Sequence, residues 1–254
     1  MPDLRHALPW LVPASLILIW QAASTLGLLP NEFLPAPTTI LLTGINLAWS
    51  GELWTNLAAS AARAAVGFLI GGSIGFALGL ANGLSSLSER LLDSTLQMVR
   101  NVPHLALIPL VILWLGIDES AKIFLVALGV FFPIYINTFQ GIRTVDAQLV
   151  EMGKAYGMPP FELFRRVILP GALPSIFVGL RYALGLMWLT LIVAETISAS
   201  SGLGYMAMNA REFMLVDVVI LSILVYALLG KLADSVARLL ERLCLAWHPA
   251  FQRR

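Results

Sequence analysis

Long apolar runs alternate with short polar interruptions along most of the 254-residue chain. Residues 7–31 and 64–88 each run 25 positions without a formal charge, and residues 123–142 run 20. A helix crosses the hydrocarbon core with about 20 apolar residues at about 1.5 Å each. Residues 101–117 form a shorter apolar stretch that contains Pro103, His104 and Pro109, which predicts a kinked or broken span. Residues 173–199 are long enough but carry Arg181 and Glu195, and residues 216–232 make the last span. The pattern predicts an all-α polytopic membrane protein with about six transmembrane helices, because an open sheet edge cannot be satisfied in lipid. The first run follows Arg5 and precedes Ala22 and Ala23, as in a secretion signal. It is longer than the usual apolar core of such signals, so it reads as a retained helix.

Basic residues set the direction. With the N-terminus inside, the cytoplasmic segments hold Arg5, Arg90, Arg100, Arg143, Lys154, Arg165, Arg166, Lys231, Arg238, Arg242, Arg253 and Arg254. The opposite side holds Arg63, Lys122 and Arg211. Twelve against three predicts both termini in the cytoplasm, and with them the polar segment 151–170.

The second span has a distinctive face. Gly67, Gly71, Gly75, Gly79 and Gly83 recur every fourth residue. Such a stripe lets another helix backbone approach closely, within the subunit or between subunits. Residues 29–63 form the longest external connection, with an amphipathic stretch over 53–63 that suits an interfacial helix leading into the second span.

Composition agrees with the bilayer reading. The chain is 58% apolar and 12% charged, with mean hydropathy +0.83, against about 25% charged for a soluble domain. A net charge of +1 gives no case for nucleic acid. Cys244 is the only cysteine, which excludes internal disulfides and cysteine-based metal clusters.

Residues 151–170, EMGKAYGMPPFELFRRVILP, interrupt the apolar pattern with five charges. Pro159 and Pro160 suit the first turn of a helix, where a missing N–H costs nothing. Phe161, Phe164 and Ile168 then share one side at helical spacing. Arg165 and Arg166 complement the C-terminal end of the helix dipole, Gly157 allows a sharp entry, and Pro170 is expected to stop the helix. On these residues alone the segment is either an interfacial anchor or a handle for a soluble partner.

Its spacing resembles the EAA loop of ABC importer permeases: Glu151, Gly157 six later, then Val167, Leu169 and Pro170. Met152 and Gly153 stand where that family usually has alanines, and Val167 where it has isoleucine. The stretches 100–129, 132–143 and 183–213 are similar to the nitrate, sulfonate and taurine permease group, and within it to the aliphatic sulfonate branch. The resemblance implies a type I ABC importer permease fold. It divides the chain into an N-terminal helix and external connection over 1–55, a permease domain over 56–242 with its coupling loop at 143–172, and a cytoplasmic tail over 243–254. It implies that Glu151, Gly157, Pro160, Phe161, Phe164, Val167, Leu169 and Pro170 engage a cytoplasmic ATPase. A second copy of the chain, two ATPase subunits and an external sulfonate-binding protein would complete the assembly in a bacterial inner membrane. Aliphatic sulfonates are the implied cargo, with taurine, nitrate or another small solute as alternatives and an ATP-independent secondary transporter as the competing class.

No Gly-x-x-x-x-Gly-Lys-Ser/Thr phosphate loop is present, since Gly230-Lys231 is followed by Leu232. ATP and Mg therefore belong to the partner ATPase, and no cofactor or enzyme chemistry is expected in this chain. His6, His104 and His248 are too scattered to suggest a metal cluster. Arg181 reads either as a cation on the route of a sulfonate or as a structurally bonded, snorkelling side chain. Glu195 is expected to cap or pair locally, and His104 to be a satisfied polar group at a helix break or a contact in the path.

Overall fold

The computed structural model describes residues 3–30 and 32–247, with the side chains of 3–10 and of Ser198 left out. Arg253, Arg254 and His248 lie outside the described residues, and the side chains of Arg5 and His6 are likewise not described. Every regular element among the described residues is helical: α1 Asp3–Thr25, α2 Pro37–Trp49, α3 Glu52–Leu84, α4 Ser86–Arg100, α5 Ile108–Leu115, α6 Glu119–Arg143, α7 Ala147–Ala155, α8 Pro160–Leu163, α9 Leu169–Ser198, α10 Leu203–Glu212 and α11 Val216–Cys244. A short 3-10 turn at His104–Leu107 leads into α5, and a π turn at Phe164–Ile168 joins α8 to α9.

Among the described residues, four helices are long and apolar enough to cross a bilayer: Glu52–Leu84, Glu119–Arg143, Pro160–Ile197 and Val216–Cys244. A fifth span forms if α4 and the segment His104–Leu115 count together, bent by 80° at their break. The sixth expected span corresponds to α1, whose described apolar part, Leu11–Thr25, is shorter than a full crossing.

Two compact units divide the chain, Met1–Ser60 with Ser200–Ala227 and Ala61–Ala199 with Leu228–Arg254. In the first, Asn56 Oδ1 accepts from Gly202 N at 2.8 Å and Ser60 Oγ from Leu203 N at 2.9 Å, so α3 side chains satisfy N–H groups that the start of α10 leaves without helical partners. Thr43 on α2 donates to Asp217 on α11 at 2.6 Å. The expected interfacial helix over 53–63 is not separate: α3 runs unbroken from Glu52. Asn56 and Ser60 are drawn inward by their bonds to α10, which gives that stretch its amphipathic look.

In the second unit α6 is the central helix. A Cβ on Gly71 would fall 2.0 Å from the Ala127 carbonyl oxygen, and one on Gly75 would fall 2.5 Å from that of Phe131. A Cβ on Gly67, Gly79 or Gly83 would fall 2.6, 2.7 or 2.8 Å from the side chain of Val126, Thr138 or Ile142. The stripe therefore packs α3 against α6 within one chain, backbone to backbone. On its other side α6 meets α9 across Gly129, Gly141 and Gly179, and Val126, Val130, Ile134, Ala183, Met187 and Leu191 form the core between them. Helix α5 joins through Ile108 and Val111 against Ala121, Leu125 and Ala194.

Helix α4 was not foreseen, because its sequence is too polar for a span. Three of its polar side chains bond to α3 and α6 instead. Ser88 donates to Asn82 at 2.5 Å, Glu89 pairs with Arg143, and Tyr135 donates to Asp93 at 3.0 Å. Leu87, Leu91 and Met98 are left exposed.

Candidate functional site

The segment after α6 folds as two short helices around a tight reversal. Asp146 caps α7, its Oδ1 accepting from Gln148 N at 2.9 Å. At the other end Gly157 N bonds to Lys154 O at 2.9 Å and Met158 N to Gly153 O at 3.1 Å. Those two bonds, with Gly157 at φ +76°, make a Schellman motif. Gly157 is therefore the left-handed residue that closes α7. Pro159 and Pro160 then open α8, and Leu163 N bonds back to Pro159 O at 2.9 Å.

Leu163 is the buried anchor of this reversal. Its Cδ1 lies 2.5 Å from where a Cβ on Gly153 would sit. Glycine at position 153, where the family pattern has alanine, leaves the room that Leu163 fills.

Pro170 does not stop the helix. The chain stays helical from Pro160 to Ile197, 38 residues, because the π turn at Phe164–Ile168 bonds Leu169 N to Phe164 O and its wider ladder accommodates a residue with no N–H. At about 1.5 Å per residue this helix is about 57 Å long, nearly twice the hydrocarbon thickness, so part of it must stand outside the core. Its N-terminal turn presents Phe161, 74% exposed, beside Tyr156, 80% exposed. Phe164 is half-buried, so the two rings are not presented equally. Glu162 and Arg166 pair at 3.0 Å on the outside.

Glu151 is exposed and lines a cleft of about 410 Å³ with Arg143, Lys154, Val150 and Ile168. Val167 and Leu169 are half-buried. Eight residues read from the sequence thus form one contiguous element, from Glu151 on α7 through Gly157, Pro160, Phe161, Phe164, Val167 and Leu169 to Pro170.

Arg181 and His104 lie elsewhere. Arg181 Nε is 3.2 Å from Asp234 Oδ1 and its Nη1 is 3.7 Å from Glu241 Oε2, so two carboxylates on α11 meet its charge. His104 Nε2 is 3.1 Å from Thr190 Oγ1 beside Gly129.

At the opposite end of α6 stands a charge cluster that the sequence reading missed. Arg63 Nη1 meets Glu195 at 2.7 Å, and its Nε and Nη2 reach Glu119 at 2.5 and 2.8 Å. Lys122 joins Glu119 at 3.3 Å. Glu195 therefore pairs over a distance of 132 residues and not locally. A signal was present, since the alternating direction of the predicted spans puts Arg63, Lys122 and Glu195 toward the same side of the membrane.

Comparison with known proteins follows the same lines. Residues 71–244 match the family described as binding-protein-dependent transport system inner membrane component. The chain is 63% identical over 248 residues to the aliphatic sulfonates transport permease protein SsuC of Escherichia coli (strain K12), covering 98% of this chain and 94% of that one. The protein of the same name from Bacillus subtilis (strain 168) is 49% identical, over 95% of this chain and 88% of that one. The taurine transport system permease protein TauC of Escherichia coli (strain K12) is 36% identical, over 94% and 89%. Among solved structures, an inward-facing form of the MetNI methionine ABC transporter superposes with a TM-score of 0.57 at 20% identity, covering 76% of this chain and 97% of that one. That likeness establishes the fold.

Proposed function

The chain belongs to the binding-protein-dependent transport system inner membrane component family, and from that premise we propose that it is the membrane-spanning subunit of an ABC importer for aliphatic sulfonates. The observation that carries the reading is the 63% identity to SsuC of Escherichia coli along 98% of the chain. The exposed reversal at 151–170 supports a coupling role. Its preformed turn offers Phe161, Phe164 and Glu151 to a soluble partner without first having to fold.

Two copies form the pathway, with two ATPase subunits on the cytoplasmic face and a sulfonate-binding protein outside. The excess of basic residues supports placing 151–170 and both termini in the cytoplasm. ATP and Mg are held by the partner ATPase. ATP binding draws the ATPases together and, through α7 and α8, the two permeases with them. The spans then rock from inward-open to outward-open, the binding protein releases its solute, and hydrolysis resets the pathway. Within this chain the work is mechanical. The glycine-packed α3–α6–α9 core moves as a block because its backbones are in contact, and the continuous helix from Pro160 to Ile197 carries displacement from the 151–170 segment into the membrane.

A deletion strain grown on alkanesulfonates, taurine or sulfate as sole sulfur source tests the cargo, with nitrate uptake in parallel. Loss of growth on alkanesulfonates alone is expected. Normal growth on them, with no redundant system present, would remove the sulfonate reading. Solubilised complex that brings down no ATPase would remove the importer reading.

A further inference from the structure

The charge cluster at the start of α6 has one exposed member. Arg63 is 4% exposed, Lys122 2% and Glu195 1%. The Glu119 side chain is 55% exposed, and residues 116–118 before it are exposed as well. Two buried cations are thus closed off by a carboxylate that stands at the surface.

That carboxylate serves three donors with two oxygens. Glu119 Oε2 takes Arg63 Nε at 2.5 Å, while Oε1 takes both Arg63 Nη2 at 2.8 Å and Lys122 Nζ at 3.3 Å. A lysine ammonium has three N–H donors. Among the described residues, the other acceptor for Lys122 is Ile117 O, also at 3.3 Å. A well-made charge-assisted bond is about 2.7–2.9 Å. Both contacts are therefore long, around an ammonium almost wholly withdrawn from the surface. Glu195 does not relieve it, being held at Arg63 Nη1 at 2.7 Å.

A head group with three oxygens suits these donors better than a carboxylate. Two oxygens match the parallel Nε and Nη2 donors of the Arg63 fork, and the third is left for Lys122. Only the Glu119 side chain has to swing aside, since it alone of the four reaches the surface. Glu119 also opens α6, where the positive end of the helix dipole favours an anion. Arg143 closes the same 25-residue helix beside the Glu151 cleft, about 37 Å away. With 151–170 in the cytoplasm, the cluster lies on the side where a binding protein delivers its solute.

We propose that Arg63 and Lys122 form an outer receiving site for the sulfonate head group, which displaces Glu119 as their internal counter-ion. The proposal rests on the sulfonate-import reading above. The test measures binding of labelled hexanesulfonate to the permease–ATPase complex in nanodiscs, with hexanoate and hexanol as competitors. Glu119→Ala is expected to bind hexanesulfonate about tenfold or more tighter than wild type. It should prefer hexanesulfonate to hexanoate, and hexanol should not compete. Adding Lys122→Gln should erase the preference, because the third oxygen loses its donor. If Glu119→Ala does not assemble, Glu119→Gln removes the charge at nearly constant shape and should show a smaller gain. No gain in either variant overturns the proposal. So does hexanoate or hexanol competing as well as hexanesulfonate, which would mark an unselective site. The sulfonate reading fails by a different result. A wild-type complex that hydrolyses ATP but moves no hexanesulfonate from loaded binding protein removes that reading and the receiving role with it. Absent gain in a complex that does import overturns the site alone.

Discussion

Gly157→Ala separates backbone conformation from side-chain contact in the coupling segment. Gly157 sits at φ +76° with nothing within 4 Å of an added Cβ, so a methyl group there meets no neighbour. The cost is purely conformational, about 1–2 kcal/mol for a non-glycine residue held left-handed. If docking requires the Schellman turn intact, that cost appears as weaker binding to the ATPase, roughly 5–30-fold. Gly157→Asn should fall in between, because asparagine tolerates this region better than alanine. The assay is the affinity of detergent-solubilised permease for its ATPase, read with the thermal midpoint of the permease alone. Equal affinity for wild type, Ala and Asn would refute the reasoning, as would an Asn variant weaker than Ala.

The remaining predictions concern the transmembrane core. Gly71→Ala places a Cβ against the Ala127 carbonyl oxygen and should destabilise by about 3 kcal/mol. Gly185→Ala, with nothing within 4 Å, should be neutral or slightly stabilising. Thermal unfolding in nanodiscs ranks the pair, and an equal effect would show that the close approach of α3 to α6 is not what glycine serves. Arg63→Leu removes the guanidinium that meets buried Glu195 at 2.7 Å and should cost about 3–5 kcal/mol, while Arg63→Leu with Glu195→Leu should regain most of that. A double variant no more stable than the single would mean that the pair does not act as a unit.

The sequence announced its long elements plainly. Long apolar runs marked α3, α6, α9 and α11 because a bilayer leaves little freedom in how an apolar run folds. The turn within 151–170 was equally legible, since glycine and proline at fixed spacing dictate a turn and a helix start. What escaped notice depends on partners distant in sequence. Helix α4 offered no apolar run to read, because its polar side chains bond to Asn82, Tyr135 and Arg143. Glu195 looked local because Arg63 is far away along the chain. Pro170 read as a stop because a π turn has no signature that single-residue propensities carry.

The most direct measurement is uptake into proteoliposomes holding the permease and its ATPase, with labelled alkanesulfonate delivered by loaded binding protein. The account predicts accumulation against a gradient that requires ATP and disappears when the ATPase is omitted. Accumulation without ATP, or none in the complete system, would contradict it.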